Sequence, residues 1–184
     1  MREQEDLTLS QTLTVVDYTS DLAPAFASIN AEWIEAMFVL EASDRKVLGD
    51  PQSHIIDPGG TILFVCAEDL GIVGACALRK EADGCFELTK MGVLESARGR
   101  KAGEFLLAAM IQRAVAMQPE TLYLLTSSKC AAAIHLYDKA GFVRDAAIMQ
   151  RFGTQYQRCN VAMSYPLNRG AVAAVPAPSA LLGA

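Results

Sequence analysis

The five cysteines of this sequence form no CxxC pair, and their spacing to the two histidines matches no metal-binding pattern. We therefore expect no metal. An odd number of cysteines without a disulfide framework is typical of the reducing cytosol, so the predicted location is cytoplasmic. Three of the cysteines, Cys66, Cys76 and Cys85, fall in or beside apolar stretches, where a free thiol behaves as a small hydrophobic group.

The sequence also lacks an excess of positive charge and a long apolar run. Its formal net charge is −5, whereas a general nucleic-acid binder presents a basic surface. No apolar run reaches the roughly 20 residues that a membrane-spanning helix needs. Residues 1–6 lack the apolar core of a signal peptide. We therefore expect neither a nucleic-acid partner nor a membrane partner.

The 184 residues are enough for one domain of ordinary size, and 52 % of them are apolar or aromatic, which excludes disorder for most of the chain. The predicted domain covers residues 12–167. Residues 1–11 are predicted to form a flexible lead-in. Residues 168–184 are rich in alanine and proline without periodicity, and we expect a mobile tail there.

The first third of the chain is predicted to hold one strand and one long helix. Apolar residues recur every three or four positions over 22–38, which indicates an amphipathic helix. Asp21 is its predicted N-cap, and Pro24 is tolerable only in its first turn. A strand is predicted before it, over 13–18, and residues 41–60 carry turn signals with one short helix among them.

The rest of the chain begins with an antiparallel run of strands and then alternates strands with helices. Strands are predicted over 61–68, 72–79, 86–93, 121–126 and 160–165, with one helix over 103–117 and a second, N-capped by Ser127 or Ser128, around Tyr137. This order predicts an α/β fold: a mixed, mostly antiparallel sheet with helices on both faces.

A glycine-bearing loop joins the strand 86–93 to the helix 103–117. The first turn of a helix offers backbone N–H groups without intrahelical partners, and the helix dipole places partial positive charge there. Gly99 and Gly103 allow a ligand to approach the backbone closely, because neither has a Cβ atom. The loop also carries three cations, Arg98, Arg100 and Lys101. These features predict a pyrophosphate site.

A second pattern lies about 35 residues further along the chain. Ala133, Leu136, Tyr137 and Ala140 share one face of a helix. Gly141 follows where a left-handed C-cap is wanted, and Phe142 begins the next strand. Taken alone, this pattern describes Tyr137 as a core tyrosine.

Together the two patterns resemble those of the GNAT N-acetyltransferase family. Residues 98–103 resemble its acyl-CoA motif, [QR]-x-x-G-x-[GA], with Lys101 in place of the first glycine. Residues 133–142 resemble its later signature, A-x-x-L-Y-x-K-x-G-F, although Cys130 stands where the family often has asparagine. The resemblance covers about 12–166 and implies a GNAT-like fold with acetyl-CoA as co-substrate. There is no GxGxxG or GK[ST] fingerprint of a Rossmann or P-loop domain.

The resemblance implies acetyl transfer to a primary amine of a small molecule, an amino acid or a peptide by direct attack. Tyr137 is the implied proton donor to the departing thiolate, since a phenol holds its proton at neutral pH. Glu87 is the first choice for the general base; its alternative is a carboxylate paired with Lys90 or with solvent. The residues expected to bind the cofactor are Met91, Gly92, Val93, Arg98, Gly99, Arg100, Lys101, Ala102, Gly103, Glu104 and Tyr137.

The acceptor pocket is expected to draw on residues 22–60. Asn30, Trp33 and His54 are the candidate substrate-binding residues. Asn30 can instead belong to a solvated polar face, and His54 can be an exposed bystander in its loop. Two questions stay open on the sequence: whether the chain forms a homodimer, and whether it is an enzyme or a non-catalytic acyl-CoA-binding regulatory domain. The presence of Tyr137 favours the enzyme.

Overall fold

A computed structural model describes residues 12–167, and both the predicted lead-in (1–11) and the predicted tail (168–184) lie outside them. The described part forms one seven-stranded sheet of strand order β1-β2-β3-β4-β5-β7-β6. Its strands are β1 (Leu13–Asp17), β2 (Thr61–Ala67), β3 (Gly71–Ala82), β4 (Cys85–Val93), β5 (Thr121–Thr126), β6 (Val143–Arg144) and β7 (Val161–Ser164). Only the β4–β5 pair is parallel, so the predicted mixed and mostly antiparallel sheet is confirmed.

Five α-helices cover the sheet: α1 (Ala23–Met37), α2 (Ala42–Gly49), α3 (Ala102–Ala116), α4 (Ala131–Ala140) and α5 (Ala146–Phe152). Strand β2 shows how the two faces are divided. Leu63 and Val65 belong to the core under α3 and α4, whereas Ile62 and Phe64 belong to the core under α1 and α2. Because both faces are buried, β2 is apolar almost throughout instead of alternating with polar residues.

Two predicted helix caps are wrong. Asp21 lies in a short 3₁₀ turn, Ser20–Leu22, and α1 begins after it without a side-chain cap, although Pro24 does sit in the first turn of α1. Helix α4 begins at Ala131, so Ser127 lies too far upstream to cap it; its hydroxyl accepts the backbone N–H of Lys129 instead. The predicted left-handed C-cap of α4 is confirmed, since Gly141 has a φ of 102°.

The turn-rich region 41–60 contains more helix than predicted. Helix α2 is started by a reciprocal capping box: the Glu41 side chain accepts a backbone N–H of the first turn, and the Asp44 carboxylate accepts the N–H of Glu41 at 3.0 Å. A π-helical turn, Gln52–Ile56, follows. The acidic residues three apart were the available signal for the capping box.

Strand β4 changes its pairing halfway along. Its register against β3 shifts between Ala75 and Ala77, and Lys90, on the bulged side, has a φ of 50°. Towards β5, the parallel pairing involves only residues 85–87 of β4 with residues 121–123 of β5. Beyond Glu87 the two strands diverge, and a cavity opens between them.

Candidate active site

The cavity between β4 and β5 has a volume of about 450 Å³. Its walls come from residues 88–93 of β4, residues 125–127 at the end of β5, and parts of α1, α3 and α4. One end, which we call the loop end, is formed by Arg98, Gly99, Lys101, Ala102 and Gly103. The other, which we call the aromatic end, is formed by Trp33, Phe38, Lys90, Lys129, Tyr156 and Arg158.

The loop end presents the start of helix α3 to the cavity. Among the described residues no side chain caps this helix, and the first hydrogen bond of its backbone is from Phe105 N–H to the Lys101 carbonyl. The preceding first-turn N–H groups therefore remain available to an anion. Arg98 and Lys101 add two cations beside them.

Lys101 occupies a position that favours glycine. It has φ 59° and ψ 17°, in the left-handed region. Non-glycine residues adopt this conformation at a cost of roughly 1 kcal/mol. Lys101, which stands where the family motif has glycine, therefore adopts a left-handed conformation at a cost in backbone strain. Its side chain adds a cation to the loop.

Two of the predicted cofactor residues point away from the cavity. The guanidinium of Arg100 bonds both carboxylate oxygens of Asp69, at 2.7 and 2.8 Å, and is not part of the lining. Glu104 is exposed on the first turn of α3 and pairs with Lys139 at 2.9 Å. The remaining predicted cofactor residues, Met91, Gly92, Val93, Arg98, Gly99, Lys101, Ala102, Gly103 and Tyr137, all line the cavity.

The edge of β4 that faces the cavity has lost its strand partner. Residues 88–93 lie beyond the last β4–β5 pair, so their backbone on that side has no ladder among the described strands. Gly92 also lies directly against the indole of Trp33, and a Cβ atom there would overlap the ring. A glycine at this position therefore brings α1 close to the β4 backbone.

Tyr137 lies on α4, between the two ends. Its side chain is buried and packs edge-on against Phe142, with 6.0 Å between the ring centroids. Within residues 12–167 its hydroxyl makes no hydrogen bond, although the residue lines the cavity. Burial raises the pKa of Tyr137, so the phenol is protonated at neutral pH. Both the packing role and the role towards a ligand fit this position.

Glu87, the predicted general base, does not line the cavity. Its side chain is 1 % exposed and accepts a hydrogen bond from Arg79 on the neighbouring strand at 2.8 Å. Burial raises the pKa of Glu87, while the charges of Arg79 and Lys90 oppose that shift. The alternative prediction, a pair with Lys90 or with solvent, is also wrong, because the antiparallel register places Arg79 opposite Glu87.

The three candidate substrate residues are separated in the structure. Trp33 lines the cavity. Asn30 is fully buried behind it, where its amide donates to the Phe26 carbonyl at 2.9 Å and its side-chain oxygen accepts from the indole N–H at 3.0 Å. Asn30 is therefore a support for Trp33, neither a lining residue nor part of a solvated face. His54 lies in the π-helical turn, outside the lining.

The structure reveals an ionic cluster that the sequence did not predict. Asp44 is fully buried and accepts hydrogen bonds from Lys90 at 3.0 Å and from Arg158 at 2.6 and 2.9 Å. Burial alone would raise the pKa of Asp44, but the Arg158 hydrogen bond and the Lys90 charge lower it to about 2. Glu41 also accepts from Arg158, at 3.3 Å. No local pattern signals this cluster, because its members are far apart in the sequence.

Two aromatic rings complete the aromatic end. The Lys90 ammonium lies 4.6 Å from the centroid of the Tyr156 ring, and the Arg158 guanidinium 5.2 Å from it. Around the Phe38 ring, Arg158 lies at 5.9 Å and Lys129 at 6.0 Å. These distances are within the range of cation–π contacts.

Other classes of site are not evident in residues 12–167. No group of three or more histidine, cysteine, aspartate or glutamate residues there could hold a metal ion. None of the helices in that part of the chain has the length and apolar character to cross a membrane.

The fold and the cavity agree with comparisons to known proteins. Residues 59–144 match the family model of the acetyltransferase (GNAT) domain. A search of the curated proteins found no significant match.

Three solved structures are similar to the described domain. A GNAT-family acetyltransferase from Staphylococcus aureus Mu50 has a TM-score of 0.75 at 18 % identity, over 85 % of this chain and 99 % of the other. A ribosomal-protein-alanine N-acetyltransferase from Brucella melitensis has 0.63 at 20 %, over 84 % and 99 %. The PaiA N-acetyltransferase from Thermoplasma acidophilum, in complex with coenzyme A, has 0.62 at 14 %, over 84 % and 98 %.

At these identities the solved structures show only that the folds are alike. The similarity in sequence comes from the family model. Both predicted motifs fall inside or directly against the matched region. Residues 59–144 are thus similar in sequence to the acetyltransferase (GNAT) domain, and the described fold is similar to that of GNAT-family acetyltransferases.

Proposed function

We propose that this protein transfers an acetyl group from acetyl-CoA to a primary amine by direct attack of the amine on the thioester. The observation that carries the proposal is the cavity itself. It runs from an uncapped helix N-terminus, past an unpaired strand edge and Tyr137, to a separate aromatic end. One substrate can thus enter from each end and meet the other at the divergence of the strands.

The loop end would bind the pyrophosphate of the cofactor. The first-turn N–H groups of α3 and the helix dipole favour an anion there, and Arg98 and Lys101 add charge-assisted hydrogen bonds. The relative from Thermoplasma acidophilum, solved with coenzyme A, supports the choice of cofactor. No metal is needed in this scheme.

The unpaired edge of β4 would stabilise the negative charge that develops on the thioester oxygen. Met91, Gly92 and Val93 line the cavity at the point where β5 has moved away, and the N–H groups on that side of the strand would reach the oxygen. Preorganised N–H donors of this kind stabilise a tetrahedral oxyanion without having to reorganise during the reaction.

Tyr137 would assist the departing thiolate. The neutral amine adds to the carbonyl carbon, and the nitrogen loses a proton to water. The tetrahedral oxyanion then re-forms the carbonyl while the C–S bond breaks and its electron pair stays on sulfur. The phenol lies on the cavity wall with no described hydrogen-bond partner, so it can donate to that sulfur. Because burial raises the pKa of Tyr137, the hydroxyl stabilises the thiolate chiefly as a hydrogen-bond donor.

An acyl-enzyme on Cys159 is disfavoured. This cysteine lines the cavity, but burial raises the pKa of its thiol to about 12, although Arg158 opposes the shift. A thiol is a nucleophile only as the thiolate, and the thiolate is scarce at neutral pH under these conditions. The raised pKa of the Cys159 thiol therefore supports direct attack by the acceptor.

A second candidate function, a non-catalytic acyl-CoA-binding domain, is favoured by one observation: in the described part of the chain, no aspartate or glutamate lines the cavity. Without a carboxylate in contact, the amine must lose its proton to water or arrive already neutral. That feature would equally suit a domain that binds acetyl-CoA and transfers nothing.

Two measurements on the full chain test the proposal. Isothermal titration with acetyl-CoA should show binding, and a free-thiol release assay across a panel of primary amines should show release that depends on the amine. Binding without amine-dependent release would favour the regulatory domain. Absence of binding would reject both functions. The cytoplasmic location and the oligomeric state stay predictions.

A further inference from the structure

We propose that the acceptor amine also carries a carboxylate, which the aromatic end binds through its cations. The inference rests on the proposed function and adds the class of acceptor to it. It begins from the charges of the lining: within residues 12–167, five lysine and arginine residues line the cavity and no aspartate or glutamate does. The five are Lys90, Arg98, Lys101, Lys129 and Arg158.

These cations lie in two groups on opposite faces of the sheet. Arg98 and Lys101 flank the start of α3, on the face that α3 and α4 cover. Lys90 reaches Asp44 of α2, on the other face. Arg158 and Lys129 lie beside the Phe38 ring, which directly follows α1. A pyrophosphate at the start of α3 would thus leave the second group unused.

The second group contains a cation without an ion pair. Lys90 and Arg158 share Asp44, and Arg158 also reaches Glu41. Lys129 has no ion pair with any residue in 12–167 and is exposed. A substrate carboxylate can therefore accept charge-assisted hydrogen bonds from Lys129, beside the two paired cations of the same lining.

A second ammonium group on the substrate has no comparable partner. Among residues 12–167 no carboxylate lines the cavity. Of the rings at the aromatic end, Phe38 and Tyr156 each already have two cations of the protein nearby, which leaves the Trp33 ring for a cation of the substrate. A polyamine would bring like charges together in a partly buried space, which is unfavourable. The aromatic end therefore selects against polycationic acceptors.

The cations of the aromatic end would also favour the neutral form of the acceptor amine, for which the described lining offers no general base. A positive environment disfavours the ammonium form of a nearby amine, so it lowers the amine pKa and raises the neutral fraction. One set of side chains can then attract the carboxylate and make the amine easier to deprotonate by water.

The test compares acceptors of matched shape with and without the carboxylate, and each kcat/KM is expressed per neutral amine because a carboxamide also lowers the pKa of the α-amine. We would measure kcat/KM by thiol release for L-phenylalanine, L-phenylalaninamide and phenethylamine, for β-alanine against propylamine, and for spermidine. A carboxylate paired with buried cations should raise kcat/KM at least about tenfold over the matched neutral compound. Spermidine should be the poorest acceptor. Equal rates for acid and amide, or a preference for spermidine, would overturn the inference while leaving the proposed function intact.

A substitution at Lys129 tests whether the aromatic end causes the preference for acceptors with a carboxylate. Lys129→Gln should lower the acid-to-amide ratio several-fold, because it removes the unpaired cation without breaking a buried pair. Lys46→Gln is the matched control, since Lys46 is exposed on α2 outside the lining, and its ratio should stay unchanged. A ratio that is the same in Lys129→Gln and in the unmodified protein would overturn the assignment.

Binding gives a second reading that does not depend on turnover. If no amine releases thiol, the proposed function fails. In that case calorimetric titration of the CoA-loaded protein with N-acetylphenylalanine and with its carboxamide still tests the carboxylate site. Tighter binding of the acid supports the site, and equal binding overturns it.

Discussion

The loop end of the cavity is made by five residues of one short segment, 98–103, whereas the aromatic end is made by side chains from four separate stretches around residues 33–38, 90, 129 and 156–158. The loop end works chiefly through backbone N–H groups and a helix dipole, which any sequence compatible with the loop conformation would supply. The aromatic end works through individual side chains. A backbone site such as the loop end suits an invariant cofactor. A side-chain site such as the aromatic end suits an acceptor that has to be selected among similar molecules.

The ion pairs of the two ends also differ in burial. The Arg98 and Glu95 side chains at the loop end are 71 % and 78 % exposed, whereas those of Lys90 and Asp44 are 2 % and 0 % exposed. Exposed pairs contribute little to stability because water and salt screen them. Removing one partner of a buried pair leaves an uncompensated charge in the interior. The two ends should therefore respond very differently to the loss of one carboxylate.

The largest expected effect is that of Asp44→Asn. It keeps the shape of the side chain but leaves Lys90 and Arg158 without their buried counter-ion. We expect the free energy of unfolding to fall by roughly 3–5 kcal/mol, measured by urea denaturation. The matched change at the loop end, Asp69→Asn, removes the exposed partner of Arg100 and should leave the urea midpoint nearly unchanged. Equal losses of unfolding free energy in the two variants would show that the buried and the exposed ion pair contribute equally to stability.

Asp44→Asn should also change how the stability of the fold depends on pH. The pKa of Asp44 is lowered in the folded protein to about 2, so its ionised form stabilises the fold above its unfolded value of about 3.9. That contribution is complete at neutral pH and is lost as the pH falls from about 5 towards 2. Asp44→Asn should therefore flatten the acid limb of the stability curve. An acid limb as steep as that of the unmodified protein would contradict the role of Asp44.

The next effect is that of Tyr137→Phe, at the junction of the two ends. If the hydroxyl stabilises the thiolate, turnover should fall by roughly ten- to a thousand-fold while acetyl-CoA affinity holds, since such donors typically contribute up to about 10²–10⁴ and water replaces part of the effect. If Tyr137 is only a core residue, turnover should persist, and the unfolding free energy should change little because the hydroxyl has no hydrogen-bond partner in residues 12–167. Thiol release and circular dichroism on one variant separate the two roles.

A smaller effect is expected from Arg98→Ala combined with Lys101→Ala. The double variant should weaken acetyl-CoA binding at least about tenfold by calorimetry and acetyl-pantetheine binding much less, because the lost contacts are to phosphate. Arg100→Ala is the control, since Arg100 is held by Asp69 outside the cavity and should matter little for either ligand. Equal losses for both ligands would move the phosphate site elsewhere.

The smallest effect concerns the backbone of Lys101 alone. Lys101→Gly relieves the left-handed strain and should raise the unfolding free energy by up to about 1 kcal/mol, whereas Lys101→Ala keeps the strain and should not. Both variants should weaken acetyl-CoA binding to the same extent, because both remove the same charge. A stabilisation that Ala shares with Gly would show that the conformation of Lys101 carries no cost.

Local patterns predicted the helices and strands well and the tertiary partners poorly. The strand–loop–helix at 86–117 and the Gly141 cap were predicted because backbone geometry depends on neighbours in sequence. Arg100 and Glu87 lie in the predicted loop and strand, but their protein partners were not predicted. Asp69 and Arg79, which hold them, reach them through the packing of β3 and its turn, and single-sequence patterns do not encode that approach.

By itself, the sequence determined the family of the fold, the glycine-bearing loop at the start of α3 and the position of Tyr137, because each depends on residues within one or two turns of chain. Only the tertiary structure decided what fills the aromatic end. It placed Asp44 between Lys90 and Arg158, turned Asn30 inward behind Trp33 and kept the carboxylates of residues 12–167 off the cavity wall. The physical reason is that a buried charge finds its partner through burial and low dielectric, which depend on how distant segments pack and not on their order along the chain.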